Sequence, residues 1–503
     1  MLSRAAATII LLFLFALRAP GATYTFEYSP NCSKAYSSYL SLHLQDARSY
    51  LAQEAKANPG NLIPIFLADY DDCIVLLLNS SPKDLEQRSA HLAARIAALD
   101  KGDEHSPWQR LCKAGVYLHW AIINVRFGDQ YKAAINFHRS FSLLNDNRRL
   151  FPAFEYNNVY AGLQEAVVGS LPGSYKRLAS VFGMKGSIKK GTEKLATFVN
   201  THNAAHPFYA EAVLYHLYSR FYLLSEQQEV WNFINTPQFP THNNLLNTFA
   251  KANIALDYRK CDAAIDLLRA AGAEPEYNTY PVFDHQLGAA LLTRLDTAAV
   301  FYFRRFLARN TGDSYIKDTW QKMSYAWYVN NDMPKATYCM EQMALKGTAR
   351  IDADKQAARQ AENKTWPMKA LLQARLLIEG GYYERALALL QHIDQATLPA
   401  PADKAEYSFR LGRVYEELAA ASTGKAYYQL AFAQYRAAVA TGKDRHEQFA
   451  ARAALHMGRM YERLQMNAEA LEQYEQCLDM PAHDFQNSID MQAKAGMNRI
   501  EGK

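Results

Sequence analysis

The clearest pattern of small and apolar positions lies in residues 451–481, ARAALHMGRMYERLQMNAEALEQYEQCLDMP. Gly458 has no Cβ atom, so a second helix can approach the first closely at this point. Tyr461 follows one turn later on the same face, where its ring can cover the helix pair. Ala470 is small where the helices would cross, and Tyr474 fills the gap toward the next unit. The pattern predicts a helix-turn-helix unit of about 34 residues.

The same register recurs upstream. The strings LGRVYEEL at 411–418 and MGRMYERL at 457–464 stand 46 residues apart, so we predict an enlarged repeat, lengthened at 419–426 and before Glu447. Four further units are predicted from small and large residues at matching positions: Ala252, Ala255, Ala264 and Leu268; Leu287, Gly288, Leu291, Ala299 and Phe303; Trp320, Met323, Trp327, Ala336 and Met340; and Ala374, Leu377, Ala386 and Leu390. Self-similarity at a regular spacing indicates a repeat architecture.

The N-terminal half follows the pattern less closely. Residues 31–59 place Ala35, Ala47 and Leu51 at repeat positions, and residues 108–144 predict another unit with its turn at Gly128-Asp129. Residues 62–78 are too apolar for a surface helix and are expected to be buried. Residues 165–195 depart from the repeat because they are rich in glycine, which predicts tight turns between helices.

These spacings resemble those of the tetratricopeptide-repeat superfamily. The resemblance implies an all-α chain that forms a right-handed superhelical solenoid of tetratricopeptide-like helix-turn-helix repeats. Glu54 departs from it, since the superfamily usually has a small residue at that position. Residues 165–195 are similar, in their glycine, proline and lysine pattern, to the central part of the tetratricopeptide repeat protein 39 family and of secreted bacterial proteins built alike. The resemblance implies an architecture and names no ligand.

The N-terminus reads as a secretion signal. Arg4 precedes a thirteen-residue apolar run at 5–17, and small residues follow up to Ala22. The run is shorter than the roughly 20 residues that a membrane span needs, so we predict a signal peptide over residues 1–22. Pro20 and Arg18 keep an uncleaved anchor open as the alternative. The predicted mature chain then divides into an N-terminal region, 23–240, and a C-terminal array, 241–503, in a secreted, periplasmic bacterial protein.

Composition narrows the classes of partner. Without Arg4 and Arg18 the 55 basic residues become 53 against 50 acidic ones, a formal charge of +3, so we expect no strong field for nucleic acid or membrane. After signal cleavage we expect no integral membrane span. The six cysteines are scattered without close pairs, which favours buried thiols over disulfides or a zinc site.

Each catalytic motif that the sequence suggests lacks a residue that its chemistry requires. Residues 186–192 have the glycine spacing of a phosphate loop but lack its lysine. His202 and His206 have metalloprotease spacing, yet Asn203 replaces the required Glu and Pro207 predicts a helix start, so we expect the two histidines off any common helix face. The prediction is therefore a non-enzyme with no cofactor and no metal.

Two groups of residues are candidate binding sites. Arg375, Arg413 and Arg459 occupy one repeat position, which in the superfamily faces a groove where basic residues often hold a peptide carboxylate. Phe409 and Leu455 would supply the apolar part. Acids lie about one turn after each arginine, so ion pairs are the alternative. The glycine-rich segment carries a possible anion patch of Lys176, Arg177, Lys185, Lys189 and Lys190, for which a solvated face is the alternative.

Acidic residues interrupt the apolar segment 62–78 at Asp69, Asp71 and Asp72. Three acids in four residues suggest a cation site, but the glycine and distal glutamate of a calcium loop are missing. We therefore expect a helix-end or capping role for them.

The resulting functional prediction is a non-catalytic scaffold that binds a protein or extended peptide in its concave groove in the cell envelope. The main alternative is a small-ligand, glycan-binding or enzymatic pocket at the glycine-rich basic segment. A third possibility is a self-associating array, in which the last helix, at 484–500, would expose an apolar stripe.

Overall fold

The computed structural model describes residues 24–171, 173–363, 365–421 and 425–501. Helices joined by short turns account for the secondary structure of these ranges, apart from an isolated parallel bridge between Thr25 and Asn61. The prediction of an all-α chain is therefore confirmed for the described residues. The predicted signal peptide, residues 1–22, lies outside them. Within the described part of the chain, no helix has both the length and the apolar character needed to cross a membrane.

The chain divides into two compact units. Unit 1 comprises the described residues up to Val230 together with Asn243–Leu246, and unit 2 comprises Trp231–His242 and the residues from Asn247 onward. The helices of the first part of the chain are α1 (Pro30–Tyr39), α2 (Leu44–Ala57), α3 (Ile63–Asn79), α4 (Pro82–Arg88), α5 (His91–Leu99), α6 (Pro107–Arg126), α7 (Gln130–Leu150), α8 (Asn157–Ser170), α9 (Gly173–Val181), α10 (Ile188–Thr201), α11 (Tyr209–Tyr218) and α12 (Gln227–Ile234). A π-helical turn, Ser219–Leu223, follows α11.

The helices of the second part begin with α13, which like α12 contains residues of both units. They are α13 (Leu245–Asp257), α14 (Cys261–Ala271), α15 (Val282–Thr293), α16 (Ala299–Arg309), α17 (Ile316–Val329), α18 (Met333–Leu345), α19 (Asp352–Asn363), α20 (Lys369–Gly380), α21 (Tyr383–Gln391), α22 (Pro401–Ala421), α23 (Lys425–Gly442), α24 (Phe449–Arg463), α25 (Asn467–Leu478) and α26 (Gln486–Glu501). The predicted enlarged repeat corresponds to α22 and α23, which have 21 and 18 residues against 15 and 12 in α24 and α25.

Glycine-aromatic contacts bring the two helices of several pairs in unit 2 close together. A Cβ atom at Gly412 would lie 2.6 Å from the ring of Tyr435, and one at Gly288 would lie 2.7 Å from the ring of Phe303. Both distances are shorter than van der Waals contact, so only glycine lets the second helix of each pair lie this close. The residue spacing of the sequence predicted this close approach for α24 and α25, and the structure has it there too, at Gly458.

The turn between α6 and α7 has the predicted chemistry. Gly128 has a φ of +81°, and Asp129 caps α7 by accepting a hydrogen bond of 2.9 Å from the backbone N–H of Lys132. The same capping contact recurs in unit 2, where Asp332 accepts from the N–H of Lys335 at the start of α18.

The contacts of Glu54 explain why this position departs from the repeat pattern. Its side chain is buried and accepts hydrogen bonds from Ser29 Oγ at 2.6 Å and from the amides of Asn58 and Asn61 at 2.9 Å. Burial alone would raise the pKa of Glu54, but these hydrogen bonds outweigh it and lower the pKa. The Glu54 carboxylate, at a position where a small residue was expected, thus connects the start of α1 to the end of α2.

A buried polar cluster links four helices of unit 1. Glu211 of α11 accepts hydrogen bonds from the hydroxyls of Tyr36 at 2.8 Å, Tyr70 at 2.7 Å and Tyr215 at 2.5 Å. The hydroxyls of Tyr70 and Tyr160 are 2.9 Å apart. Burial, followed by the charge of Glu211, raises the pKa of Tyr36, Tyr70, Tyr160 and Tyr215 well above the ordinary value.

The expected capping role of the three aspartates of α3 was wrong. Asp69 and Asp72 lie within the buried face of the helix and both accept from Arg95, and Asp71 pairs with Arg48 at 2.9 Å. His119 Nδ1 also lies 2.9 Å from Asp69. The cation that balances these acids is arginine, because a buried carboxylate needs a charged or hydrogen-bonding partner.

Unit 2 contains contacts that a stack of nearest neighbours alone would not make. The Arg259 guanidinium pairs with Glu417, 158 positions away, and the Tyr382 hydroxyl donates to Asp262 at 2.7 Å. Gly381 has a φ of +86°, and its Cβ position would lie 2.1 Å from the carbonyl oxygen of Arg259. The turn after α13 therefore rests directly on the turn after α20.

The last helix covers the end of the core. Ile489 and Ala493 of α26 are buried in the same apolar cluster as Tyr474, and Met497 and Ile500 pack against it. Met491, which is 50% exposed, is the large apolar residue of α26 that faces outward. This arrangement is a cap, since the apolar stripe of the helix is turned inward.

Candidate functional site

The predicted arginines lie on the first helices of three successive pairs in unit 2. Arg375 is on α20, Arg413 on α22 and Arg459 on α24. Their surroundings differ strongly, because only Arg413 is fully inside the protein. Its side chain and that of Glu416 are each 5% exposed.

Arg413 belongs to a buried ion-pair network. Its Nη1 donates to Glu416 Oε2 at 2.6 Å and its Nη2 to Glu417 Oε1 at 2.5 Å. These are the intra-helix pairs that the sequence offered as the alternative. Burial opposes the charge of Arg413, but Glu416, the Tyr435 hydroxyl and Glu417 outweigh it and raise the pKa of Arg413 well above its ordinary value.

Glu416 is the centre of that network. It also accepts from the Tyr435 hydroxyl at 2.5 Å and pairs with Arg463. Burial would raise the pKa of Glu416, but the charge of Arg413, with that of Arg463, outweighs burial and holds it well below the usual range. Burial, with the charge of Arg413, lowers the pKa of His456 to about 3, so this imidazole is neutral.

Arg375 is partly exposed. Its guanidinium stands 5.2 Å from the centre of the Tyr325 ring, and its Nε is 3.8 Å from Glu379. Burial would lower the pKa of Arg375, but Tyr325 and Glu379 reverse the effect and raise it.

Arg459 contacts a neutral partner in place of an acid. Its Nη2 donates to Gln492 Oε1 of α26 at 2.7 Å. Burial lowers the pKa of Arg459, which means that its charge is only partly compensated.

Phe409 and Leu455 are each only 2% exposed. Both lie in the apolar cluster with Tyr435 and Tyr474. At this burial their side chains pack the core of unit 2.

Two further arginines of the site were missed by sequence reasoning. Arg410 of α22 pairs with Glu406 at 2.8 Å, and its guanidinium lies 5.7 Å from the ring centre of Phe449 on α24. Arg452 of α24 is partly buried and stands 5.7 Å from the ring centre of Phe485. Arg452 precedes Arg459 by two helical turns, a spacing that puts both on one face and could have identified it.

The arginine cluster has an excess of positive charge. It consists of seven arginines, Arg259, Arg375, Arg410, Arg413, Arg452, Arg459 and Arg463, and the acids that pair with them are four, Glu379, Glu406, Glu416 and Glu417. Seven less four leaves three positive charges. Burial, followed by the charge of Arg410, lowers the pKa of Arg452 to about 10. A group whose cation is disfavoured by burial and by like charges is stabilised by an incoming anion.

The basic segment of unit 1 is mostly a solvated surface. Lys176, Arg177, Lys189 and Lys190 are exposed, and Lys194 pairs with Glu165. A surface concavity of about 190 Å³ is lined by Lys185 and Glu165, together with Arg148 and Gln164. Of the five predicted basic residues, Lys185 is the one that reaches it.

A possible metal-ligand group also lies in unit 1. Glu155, His202 and His206 are the described residues whose ligand atoms come within metal-binding distance of one another as a set of three or more.

Comparison with known proteins does not assign the chain to a family. No model of a known protein family matches the chain, and no curated protein matches it significantly.

Proposed function

We propose that the protein is a non-catalytic helical-repeat scaffold of the tetratricopeptide type, which binds a protein partner in the cell envelope through an acidic segment or a terminal carboxylate. The observation that carries the proposal is Arg452, a partly buried arginine that stands beside the Phe485 ring and has no ion pair below 4 Å among the described contacts. The stacked helix pairs of unit 2 support a repeat scaffold, because each pair can add its first helix to a continuous binding surface.

The chemistry of the arginine cluster favours a carboxylate ligand. Arginine presents several N–H donors in a planar fork, which suits bidentate binding of a carboxylate. Tyr325, Phe449 and Phe485 place aromatic rings beside Arg375, Arg410 and Arg452. Such rings hold guanidinium groups in position and exclude water from one side, which strengthens an ion pair formed on the other.

The burial of each arginine decides which ones can be substituted to test binding. Replacing Arg413 would remove a buried partner of both Glu416 and Glu417, so loss of binding would be confused with unfolding. Arg452 and Arg459 make no ion pair below 4 Å among the described contacts, and their replacement by glutamine keeps a hydrogen-bonding side chain. Arg359 of α19 is exposed and serves as the matched control.

The test uses the mature protein and two probes. Fluorescence anisotropy would compare a labelled oligoglutamate peptide with an oligoserine peptide of equal length, and capture from the native envelope fraction would supply the natural partner. We expect salt-sensitive binding of oligoglutamate, lost in Arg452→Gln/Arg459→Gln and kept in Arg359→Gln, and the same dependence for a captured partner. Equal binding by all three proteins at unchanged helicity would overturn the proposal.

A further inference from the structure

Three elements of unit 1 bring a carboxylate and two imidazoles together. Glu155 lies in the turn between α7 and α8, His202 follows the last residue of α10, and His206 lies in the turn before α11. Glu155 Oε2 is 3.1 Å from His202 Nε2, and Glu155 Oε1 is 3.2 Å from His206 Nε2. The two imidazole ring centres are 4.0 Å apart.

His202 and His206 lie off any common helix face, as the sequence predicted, yet their side chains come together. They meet without a shared helix because the chain turns back on itself between them. The N–H of His206 donates to the carbonyl of Asn203 at 2.9 Å, and Asn203 Oδ1 accepts from the N–H of Ala205 at 3.0 Å. Asn203, which breaks the metalloprotease motif, is the residue that forms this turn.

Backbone carbonyls fix which nitrogen of each ring faces Glu155. His202 Nδ1 is 2.9 Å from the carbonyl oxygen of Phe198, and His206 Nδ1 is 2.6 Å from that of Pro207. A carbonyl oxygen can only accept, so each Nδ1 carries the proton and donates it. This contact is the one that orients metal-ligating histidines in proteins, since it leaves the lone pair of Nε2 for the ion.

The Glu155 carboxylate and the two imidazole nitrogens would be stabilised by a positive charge between them. Two Nε2 lone pairs directed at a carboxylate repel it unless a proton or a metal ion lies between them. One divalent cation satisfies all three groups at once, and their ligand atoms lie within 4.8 Å of one another.

The surroundings hold the ligands in place and leave one side open. The ring centre of Phe198 is 4.4 Å from that of His202, and the Tyr156 ring stacks on His206 at 5.1 Å. The side chains of His202 and His206 are 15% and 19% exposed, whereas that of Glu155 is 48% exposed. The cluster therefore has an aromatic floor and a solvent-facing side, where a water molecule can complete the coordination.

We infer that Glu155, His202 and His206 bind a divalent transition-metal ion, and that Zn²⁺ suits the site best. Two imidazole nitrogens and one carboxylate oxygen form a zinc ligand set that leaves a fourth position for water, and Mg²⁺ and Ca²⁺ prefer all-oxygen sites. This site is separate from the arginine cluster, which is built by helices of unit 2.

The test is a titration of the mature, untagged protein after chelator treatment. Calorimetry with Zn²⁺ should give one tight site, and Co²⁺ should give the visible absorption of a four-coordinate ion. His202→Ala and His206→Ala should each weaken Zn²⁺ binding at least tenfold and abolish the Co²⁺ spectrum. Glu155→Gln keeps the size of the side chain and should also weaken binding, so a loss cannot be attributed to a collapsed turn.

The matched control removes two histidines of unit 1 that lie outside the cluster. His105→Ala/His138→Ala should bind Zn²⁺ as the wild type does. The inference is overturned if the wild type takes up no stoichiometric Zn²⁺, or if the cluster variants and the control bind it equally.

Discussion

Gly458 and the ring of Tyr474 are in direct contact across α24 and α25, and a Cβ atom at Gly458 would lie 2.5 Å from Tyr474 Cε1. We therefore expect Gly458→Ala to lower the free energy of unfolding by about 1–3 kcal/mol through overpacking, despite the better helix propensity of alanine. Urea unfolding measures this change. Gly442→Ala is the milder comparison and should cost less, because its added Cβ would lie 3.2 and 3.3 Å from the Cβ atoms of Ala450 and Ala405.

The contact also predicts the second-site change that relieves it. Tyr474→Leu removes the ring atoms, so Gly458→Ala should cost less in that background than in the wild type. Strictly additive free energies in the double-mutant cycle would contradict a direct clash.

Glu416 should be among the most sensitive residues of unit 2. Glu416→Gln leaves Arg413 buried with one acid fewer and weakens the bond from Tyr435, and we expect a loss of about 3–5 kcal/mol. Thermal and urea unfolding would measure it. The control is Glu472→Gln on an exposed face of α25, for which a change below about 0.5 kcal/mol is expected. Similar losses in both variants would show that the network adds no stability of its own.

His456 should make stability depend on pH. Its pKa is lowered to about 3 in the folded state, whereas an unfolded histidine titrates near a pKa of about 6.5. Between these values the unfolded chain binds the proton and the folded chain does not. Stability therefore falls as the pH drops from about 6.5 toward 3, by up to about 1.4 kcal/mol per pH unit.

The variant His456→Gln should flatten this dependence. Glutamine can still accept from Arg413 through its Oε1 atom but does not titrate. Chemical unfolding at a series of pH values between about 4 and 7 gives the slope. His446→Gln is the control, since the His446 side chain is 76% exposed. An unchanged slope in His456→Gln would mean that this imidazole is not kept neutral by folding.

In unit 1, the buried hydroxyl of Tyr36 should contribute measurably to stability. Tyr36→Phe removes one of the donors to Glu211 without changing the ring, and we expect a loss of about 1–3 kcal/mol, as for a hydrogen bond to a charged group. Tyr131→Phe, at a residue 77% exposed, should be neutral. Equal effects in the two variants would exclude a stabilising role for the Tyr36-Glu211 bond.

Local spacing predicted much of the helical structure and little of the candidate sites. Gly458 and Tyr474 could be paired from sequence because a helix-turn-helix unit brings fixed offsets together. The acids one turn after Arg413 were visible for the same reason, but His456 lies 43 residues away and Arg463 contacts Glu416 across 47. Sequence spacing cannot tell whether Arg413 binds those partners or faces a groove, because the answer depends on how successive helices are rotated against each other.

The possible metal ligands were missed for a different reason. His202 and His206 were considered only as a motif on one helix, and Glu155 precedes His202 by 47 residues. The turn between the two histidines and the carbonyls that orient them are backbone features. They have no sequence signature beyond Asn203 and Pro207.

The ion pair between Arg259 and Glu417 affects how unit 2 should unfold. In a linear array the end repeats can fray one at a time while the rest persists. Here, detaching α22 also removes the partner of the turn after α13, and detaching α20 and α21 removes the Tyr382 partner of Asp262 and uncovers the carbonyl of Arg259. Loss of order at α22 is thus transmitted to the turn after α13. The segment from α13 to α22 should melt in one cooperative step, so limited proteolysis should not yield forms trimmed within it.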